Sequence, residues 1–257
     1  MKKVTLTEKD SSRGELILVS PGFPLRGYPD RKDLISALEG EREILMNLKA
    51  GIFLKKLMKS LYCEDLITAV SGFRTQREQE EIWETSLKEN GRGFTRRYVA
   101  LPGHSEHQTG LAVDLAENRQ PIDEICPSFP AGGICGRFRR KAPEFGFVER
   151  YPEGKEPVTG IGAEPWHFRY VGYPHSMIMT EKDMTLEEYI SFLKRFSNQK
   201  NPFCWRKDGA VTEIFYLAVR EDREIELPED KVCDISGTNE GGMIISVWRK
   251  EDGREAV

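Results

Sequence analysis

Residues 101–115 read LPGHSEHQTGLAVDL, and the fold is decided by how this stretch is understood. It gathers His104, Ser105, His107, Gly110 and Asp114 into a short span. Residues 111–115 alternate, which predicts a strand with Leu111, Val113 and Leu115 on one face and Asp114 on the other. His107 precedes that strand, and Gly110 between them permits a tight approach of the backbone. Three other stretches are arranged around it: Ser71-Gly72-Phe73-Arg74-Thr75 upstream, Phe145-Gly146-Phe147 downstream, and Glu164-Pro165-Trp166-His167. The chain has only 4 histidines, and His107 and His167 fall on metal-ligand spacing with an aspartate.

Imidazole and carboxylate are good zinc ligands at about 2 Å. His107, Asp114 and His167 would make a tetrahedral site with one position open for water, whose pKa zinc lowers to roughly 7. Glu164 is placed to take a proton as general base and deliver it to a leaving amine. Arg74 lies just past the end of a predicted strand at residues 66–70, where its planar guanidinium would meet a developing oxyanion. Ser105 is a candidate substrate contact, His104 a candidate for orienting a neighbour, and Gln79 a weaker candidate early in the next helix. On residue types alone the alternatives stay open. A His–Asp pair is commonly just a hydrogen-bonded pair, and most arginines are surface residues. HExxH and CxxC motifs are absent, which excludes the usual zincin and structural-zinc patterns.

A chain of 257 residues can bury a full core, and one large domain plus a small one is the natural expectation. The net charge of -4 gives no reason to expect nucleic acid or an acidic membrane as partner. No apolar run approaches the length that spans a bilayer. Two lysines stand at the N-terminus with no apolar run behind them, because Thr5, Thr7, Glu8, Lys9 and Asp10 interrupt it. A secretory signal is therefore not expected, and the expected location is the cytoplasm. The 5 cysteines are scattered and odd in number, which reads as small buried thiols rather than a disulfide framework.

In chain order, the pattern predicts a short strand at residues 15–19. A helix is predicted at 42–62, with Leu45, Leu48, Ile52, Leu57 and Leu61 as its apolar stripe. A second helix follows at 76–87, and GRGFTRR at 91–97 reads as a basic loop. Residues 118–135 read as loop, 136–144 as a short helix limited by Pro143, 147–151 as a strand, and 152–162 as a turn or flap. In the strand predicted at 166–171, Trp166, Phe168 and Tyr170 share one face, and His167 and Arg169 the other. Pro165 makes strict alternation doubtful, so Glu164 can still face the site. Beyond Tyr173 a capping box, Thr185-Leu-Glu-Glu188, opens a helix to about residue 196. A hairpin with a Lys207-Asp208-Gly209 turn and two more strands follow. No chemistry shows in this part, which reads as a stability or docking module. The expected architecture is α+β: a central antiparallel sheet flanked by helices over residues 1–180, and a small C-terminal α/β domain over 181–257.

The motifs together resemble one family. Ser105-x-His107-x-x-Gly110-x-Ala112-x-Asp114, followed by Glu164-Pro-Trp-His167-Phe-Arg-Tyr-Val-Gly172, resembles the signature of the VanY-type D-alanyl-D-alanine carboxypeptidases. Ser71-Gly-Phe-Arg-Thr-x-x-x-Gln79 and Phe145-Gly-Phe147 fit the same pattern. The resemblance covers residues 66–172. It implies a VanY/hedgehog-like fold, Zn2+ held by His107, Asp114 and His167, base catalysis by Glu164, and transition-state stabilisation by Arg74. It also implies Ser105 and Gln79 as substrate contacts. With no N-terminal hydrophobic anchor in the sequence, the chain is more similar to the soluble VanXY enzymes. Those cleave both D-Ala-D-Ala dipeptide and the terminal D-Ala of muramyl-pentapeptide precursors, and so confer glycopeptide (vancomycin) resistance. Two other expectations are kept: a wall-recycling L,D- or D,D-carboxypeptidase, and a non-catalytic muropeptide-binding protein.

Overall fold

The computed structural model describes residues 1–38 and 43–250. Contacts divide the chain into two compact units, Val19–Glu187 and a smaller one made of Met1–Leu18 with Glu188–Val257. This corrects the expected division at residue 180. The reason is a long-range pairing: β1 (Lys2–Leu6) runs antiparallel to β10 (Arg223–Leu227), with Lys2 opposite Leu227 and Leu6 opposite Arg223. No local periodicity announces such a pairing.

The larger unit is built on a four-stranded antiparallel sheet of β4 (Ile67–Ser71), β5 (Ala112–Glu117), β7 (Glu164–Tyr170) and β6 (Phe147–Tyr151), in that spatial order. A small ribbon of β2 (Leu34–Ser36) and β3 (Leu45–Asn47) precedes it. The helix expected from residue 42 begins at Leu48 instead, because Leu45–Asn47 is strand and the Asn47 side chain caps the helix. That side chain accepts from the amides of Lys49 and Ala50 at 3.0 and 3.4 Å. Residue 42 lies outside the described residues. The helix, α1 (Leu48–Leu61), buries Leu57 of the expected stripe but otherwise turns other residues inward. Ala50, Gly51, Leu54, Leu57 and Met58 point inward, while Leu48 and Ile52 are exposed.

The next two helices are α2 (Gln76–Glu89) and α3 (Gly91–Tyr98). The second was expected as a basic loop; it is helical with Thr95 buried, its hydroxyl bonded to Ser86 and to the carbonyl of Gly91. Residues 16–19 are buried as expected of an apolar run, but residues 15–19 form no strand. α4 (Gly133–Lys141) starts earlier than predicted and passes into a 3-10 turn, Ala142–Phe145, that accommodates Pro143. A single short turn of helix, α5 (Glu156–Thr159), interrupts the predicted flap, and α6 (His175–Glu181) follows the sheet.

The two faces of β7 set up everything that follows. Phe168 packs edge-on against Phe138 of α4 and against Phe129, with ring centroids 5.0 and 5.3 Å away. Tyr170 stacks on Phe53 of α1 and touches Phe147. Helices thus cover this apolar face. His167 and Arg169 point the other way, as the alternation predicts.

The smaller unit carries a second antiparallel sheet, ordered β11 (Val232–Gly237), β12 (Gly242–Lys250), β9 (Ala210–Ala218) and β8 (Phe203–Lys207). Asp208 and Gly209 both have positive φ, 50° and 73°, as the hairpin turn requires. β11 was not anticipated. The helix there, α7, is Leu186–Leu193, shorter than expected, with Leu186, Tyr189, Ile190 and Leu193 buried. All five cysteines are free. Burial pushes the Cys63 and Cys135 thiols up to about 11, so they are inert packing groups. Among the described residues no helix is long and apolar enough to cross a membrane.

Candidate metal centre and active site

Three strands bring the site together in one row. Ser71 of β4 pairs with Asp114 of β5, and Asp114 pairs with His167 of β7. Residues far apart in sequence thereby become direct cross-strand neighbours. His107 arrives from the 3-10 turn Glu106–Thr109, which ends at Gly110 in the left-handed conformation (φ 72°). A side chain on Gly110 would be strained by that φ and would press on the Asn47 backbone and on Leu34. Gly72 is needed for closeness rather than for conformation: a Cβ there would run into the carbonyl of Leu45. Its own carbonyl lies 2.8 Å from His107 Nδ1, which fixes the ring with Nε2 toward Asp114. The loop is held from behind by buried Gln108, which accepts from the amide of Gly103 at 2.7 Å and donates to Gln76 at 2.8 Å.

His107 Nε2 lies 3.1 Å from Asp114 Oδ2, and His167 Nδ1 lies 2.9 Å from Asp114 Oδ1. One donor atom from each of the three side chains lies within 4.8 Å of the others, and all three are buried. Ligands around one tetrahedral ion with bonds of about 2 Å sit roughly 3–4 Å apart, so the donor set fits a single small divalent cation. The electrostatics agree. Burial opposes ionisation of Asp114, but the two imidazoles outweigh it and hold the carboxyl well below the usual range. Burial and the Arg74 guanidinium lower His107, keeping it neutral as a ligand must be. Burial also works against charge on His167, yet its hydrogen bond to Asp114 and the nearby Glu106 carboxylate lift it to about 9.

Glu164 sits beside this group, its Oε2 3.8 Å from His167 Nδ1. Strict alternation would have turned it away. Glu149 pairs with Phe168 but Tyr151 pairs with Glu164, so the ladder slips around Pro165 and Glu164 comes to the His167 side. Burial pushes its carboxyl up to about 8, with Asp114 adding to the effect against the pull of His167 and Arg74. A carboxyl that titrates near neutrality is suited to proton transfer.

Arg74 points Nη2 at Asp114 Oδ2, 3.3 Å away, and is anchored by Nε to the Ser71 hydroxyl at 2.9 Å. Its side chain stays 17% exposed, enough to meet a ligand. Gln79 takes a different place from the expected one. It is fully buried, donates to the carbonyl of Ala100 at 2.9 Å and accepts from Arg74 Nη1 at 3.3 Å, so it supports Arg74 from behind. Ser105 lines the cleft, and its hydroxyl makes no capping bond to the turn that follows it. His104 faces away, its Nδ1 2.9 Å from the carbonyl of Ser20. The cleft over the site is about 750 Å³, walled by Phe73, Tyr98, Ile125, Tyr151 and Trp166.

Sequence reasoning missed one buried group. Glu106 is completely enclosed, with Arg150 Nε 2.8 Å and Arg169 Nη1 2.9 Å from its Oε1. Arg150 is in turn held by both oxygens of Glu187, at 2.7 and 3.0 Å. The alternation that put Arg169 on the His167 side was the available signal, since a buried arginine needs a carboxylate.

The VanY family, described as D-alanyl-D-alanine carboxypeptidase, matches residues 45–173. The bifunctional D-Ala-D-Ala dipeptidase and carboxypeptidase VanXYC of Enterococcus gallinarum is 40% identical over 185 residues, covering 72% of this chain and 97% of that protein. The chain belongs to the VanY family. Among solved structures, the vancomycin-resistance D,D-dipeptidase VanXYg, in complex with a D-Ala-D-Ala phosphinate analogue, superposes with a TM-score of 0.93. It is 43% identical and covers 96% of this chain and 99% of its own. A mutant of the D,D-pentapeptidase VanY from a VanB-type cassette, in complex with Zn(II), matches with a TM-score of 0.53 at 28% identity. It covers 68% of this chain and 98% of its own. The α+β architecture expected from the sequence is thus that of the VanXY and VanY D,D-peptidases.

Proposed function

We propose that this chain is a zinc D,D-peptidase that hydrolyses D-Ala-D-Ala dipeptide and also removes the terminal D-Ala of muramyl-pentapeptide precursors in the cytoplasm. Its cellular role would be glycopeptide resistance. The observation that carries this reading is the convergence of His107 Nε2, Asp114 and His167 Nδ1 beside a buried Glu164 on the floor of one cleft. The kinship to a bifunctional dipeptidase and carboxypeptidase supports both substrates, and the Zn(II) complex of the VanY relative supports the metal.

His107, Asp114 and His167 would hold the ion, which supplies Lewis acidity that polarises a scissile carbonyl and eases ionisation of water. Glu164 accepts a proton from the attacking water as its oxygen bonds to the carbonyl carbon. Glu164 then returns that proton to the amine nitrogen as the C–N bond breaks and D-alanine leaves. Arg74 Nη2 steadies the negative charge that develops on the carbonyl oxygen. Ser105, at the mouth of the turn, binds substrate through its hydroxyl.

The test is D-alanine release from dipeptide and pentapeptide side by side, with and without chelator, in the parent and in Glu164→Ala. The parent is expected to act on both substrates, lose activity on chelation and regain it with zinc. Glu164→Ala is expected to keep its zinc and lose about 10²- to 10⁴-fold in rate. An unchanged rate in Glu164→Ala, or full turnover in chelator, would overturn the mechanism. Peptide bound without release of D-alanine would make the chain a binding protein instead.

A further inference from the structure

The catalytic reading leaves Glu106 unused, although among the described residues of the larger unit it is the most deeply enclosed carboxylate. Burying a carboxylate is costly unless its oxygens are paired. Oε1 is satisfied by Arg150 and Arg169. Oε2 has no hydrogen-bond partner, and the atom it faces, His167 Nε2 at 3.6 Å, has none either. Two orphaned buried polar atoms aimed at one another mark a bond that forms when the donor carries a hydrogen and the ring settles slightly.

A neutral imidazole carries one proton, on one nitrogen or the other. On His167 the nitrogen that looks toward His107 and Asp114 is Nδ1, so a metal-ligating ring must carry its proton on Nε2. We propose that Glu106 is a positioning residue: it accepts the Nε2–H of His167 and thereby fixes the tautomer and ring orientation that present Nδ1 to the metal. Arg150 and Arg169 keep the Glu106 carboxylate in place, and Glu187 keeps Arg150 in place. Gly72 does the same for His107 through its carbonyl, so each ligating imidazole has its own outer acceptor.

The proposal rests on the zinc reading above, and its test separates the two. In zinc-loaded parent protein labelled with ¹⁵N-histidine, NMR is expected to show His167 protonated at Nε2 and bare at Nδ1. Zinc bound with the opposite tautomer overturns the role of Glu106 alone; a parent that binds no zinc overturns both readings. This measurement needs no variant to fold. In parallel, chelator competition measures zinc affinity in Glu106→Gln and in Glu149→Gln, which breaks a separate carboxylate–arginine pair of the same sheet, with Arg139. Glu106→Gln is expected to bind zinc about tenfold to a hundredfold more weakly, and Glu149→Gln within about twofold of the parent. Parent-like affinity in Glu106→Gln, or equal losses in both variants, overturns the proposal.

Discussion

The two antiparallel sheets of this chain share a strand count and a pairing rule, yet their interiors are opposite in kind. Among the described residues, the smaller unit buries no charged side chain; its core is Leu6, Phe215, Leu217, Val219, Leu227, Met243, Ile245 and Val247. Its buried polar groups are small and uncharged, and some are met from far along the chain, as where the Ser236 hydroxyl accepts from the Leu16 amide at 2.8 Å. The larger unit buries Glu106, Asp114, Arg150, Glu164 and Arg169 together with His107 and His167. Apolar burial needs no specific partner, whereas each buried charge must be matched or it destabilises the fold. The sheet that accepts such groups carries the candidate site, and the other is packed almost wholly from apolar side chains.

That contrast can be broken at three points. The largest effect is expected from Arg150→Leu, which leaves buried Glu106 with one guanidinium instead of two, takes the Arg150 guanidinium from Glu187, and should lower unfolding free energy by about 3–5 kcal/mol. Urea denaturation measures it, and a loss below about 1 kcal/mol would mean the charges are not interdependent. Next, Arg74→Ala should slow D-alanine release about 10²- to 10³-fold, because one donor to the developing oxyanion is gone. Zinc content by metal analysis should not change, which places the loss in turnover rather than in the metal centre. The smallest effect belongs to the apolar sheet. Ile245→Val removes one buried methylene and should cost about 0.5–1.5 kcal/mol. Its kcat/KM should match the parent; a changed value would show that the smaller unit contributes to catalysis.

Much of the candidate site was legible because the residues proposed for it form sequence-local clusters. His107 and Asp114 share one stretch, Glu164 and His167 another, and Arg74 marks the end of a buried strand. The structure brings these five together. What could not be read is what other segments decide. Gln79 lies where a substrate contact was expected but is consumed by Ala100 and Arg74. Glu106 looked like an ordinary polar residue, because its partners Arg150 and Arg169 come from two distant strands. The α1 stripe held only at Leu57, because Leu45 belongs to a strand and the buried face runs through Ala50, Leu54 and Met58. GRGFTRR shows little apolar periodicity, and its helix is held by the Ser86–Thr95 contact instead. The strand β1 was hidden because its partner among the described residues, β10, lies near the other end of the chain.

The direct pairing of Asp114 with His167 couples the ligands to the ladder itself. An ion gripped by both would rivet β5 to β7, so its binding free energy would be added to the cohesion of the sheet. Metal occupancy and mechanical integrity of the enzyme's centre would then rise and fall together, and scarcity of the ion would loosen the very scaffold that selects it.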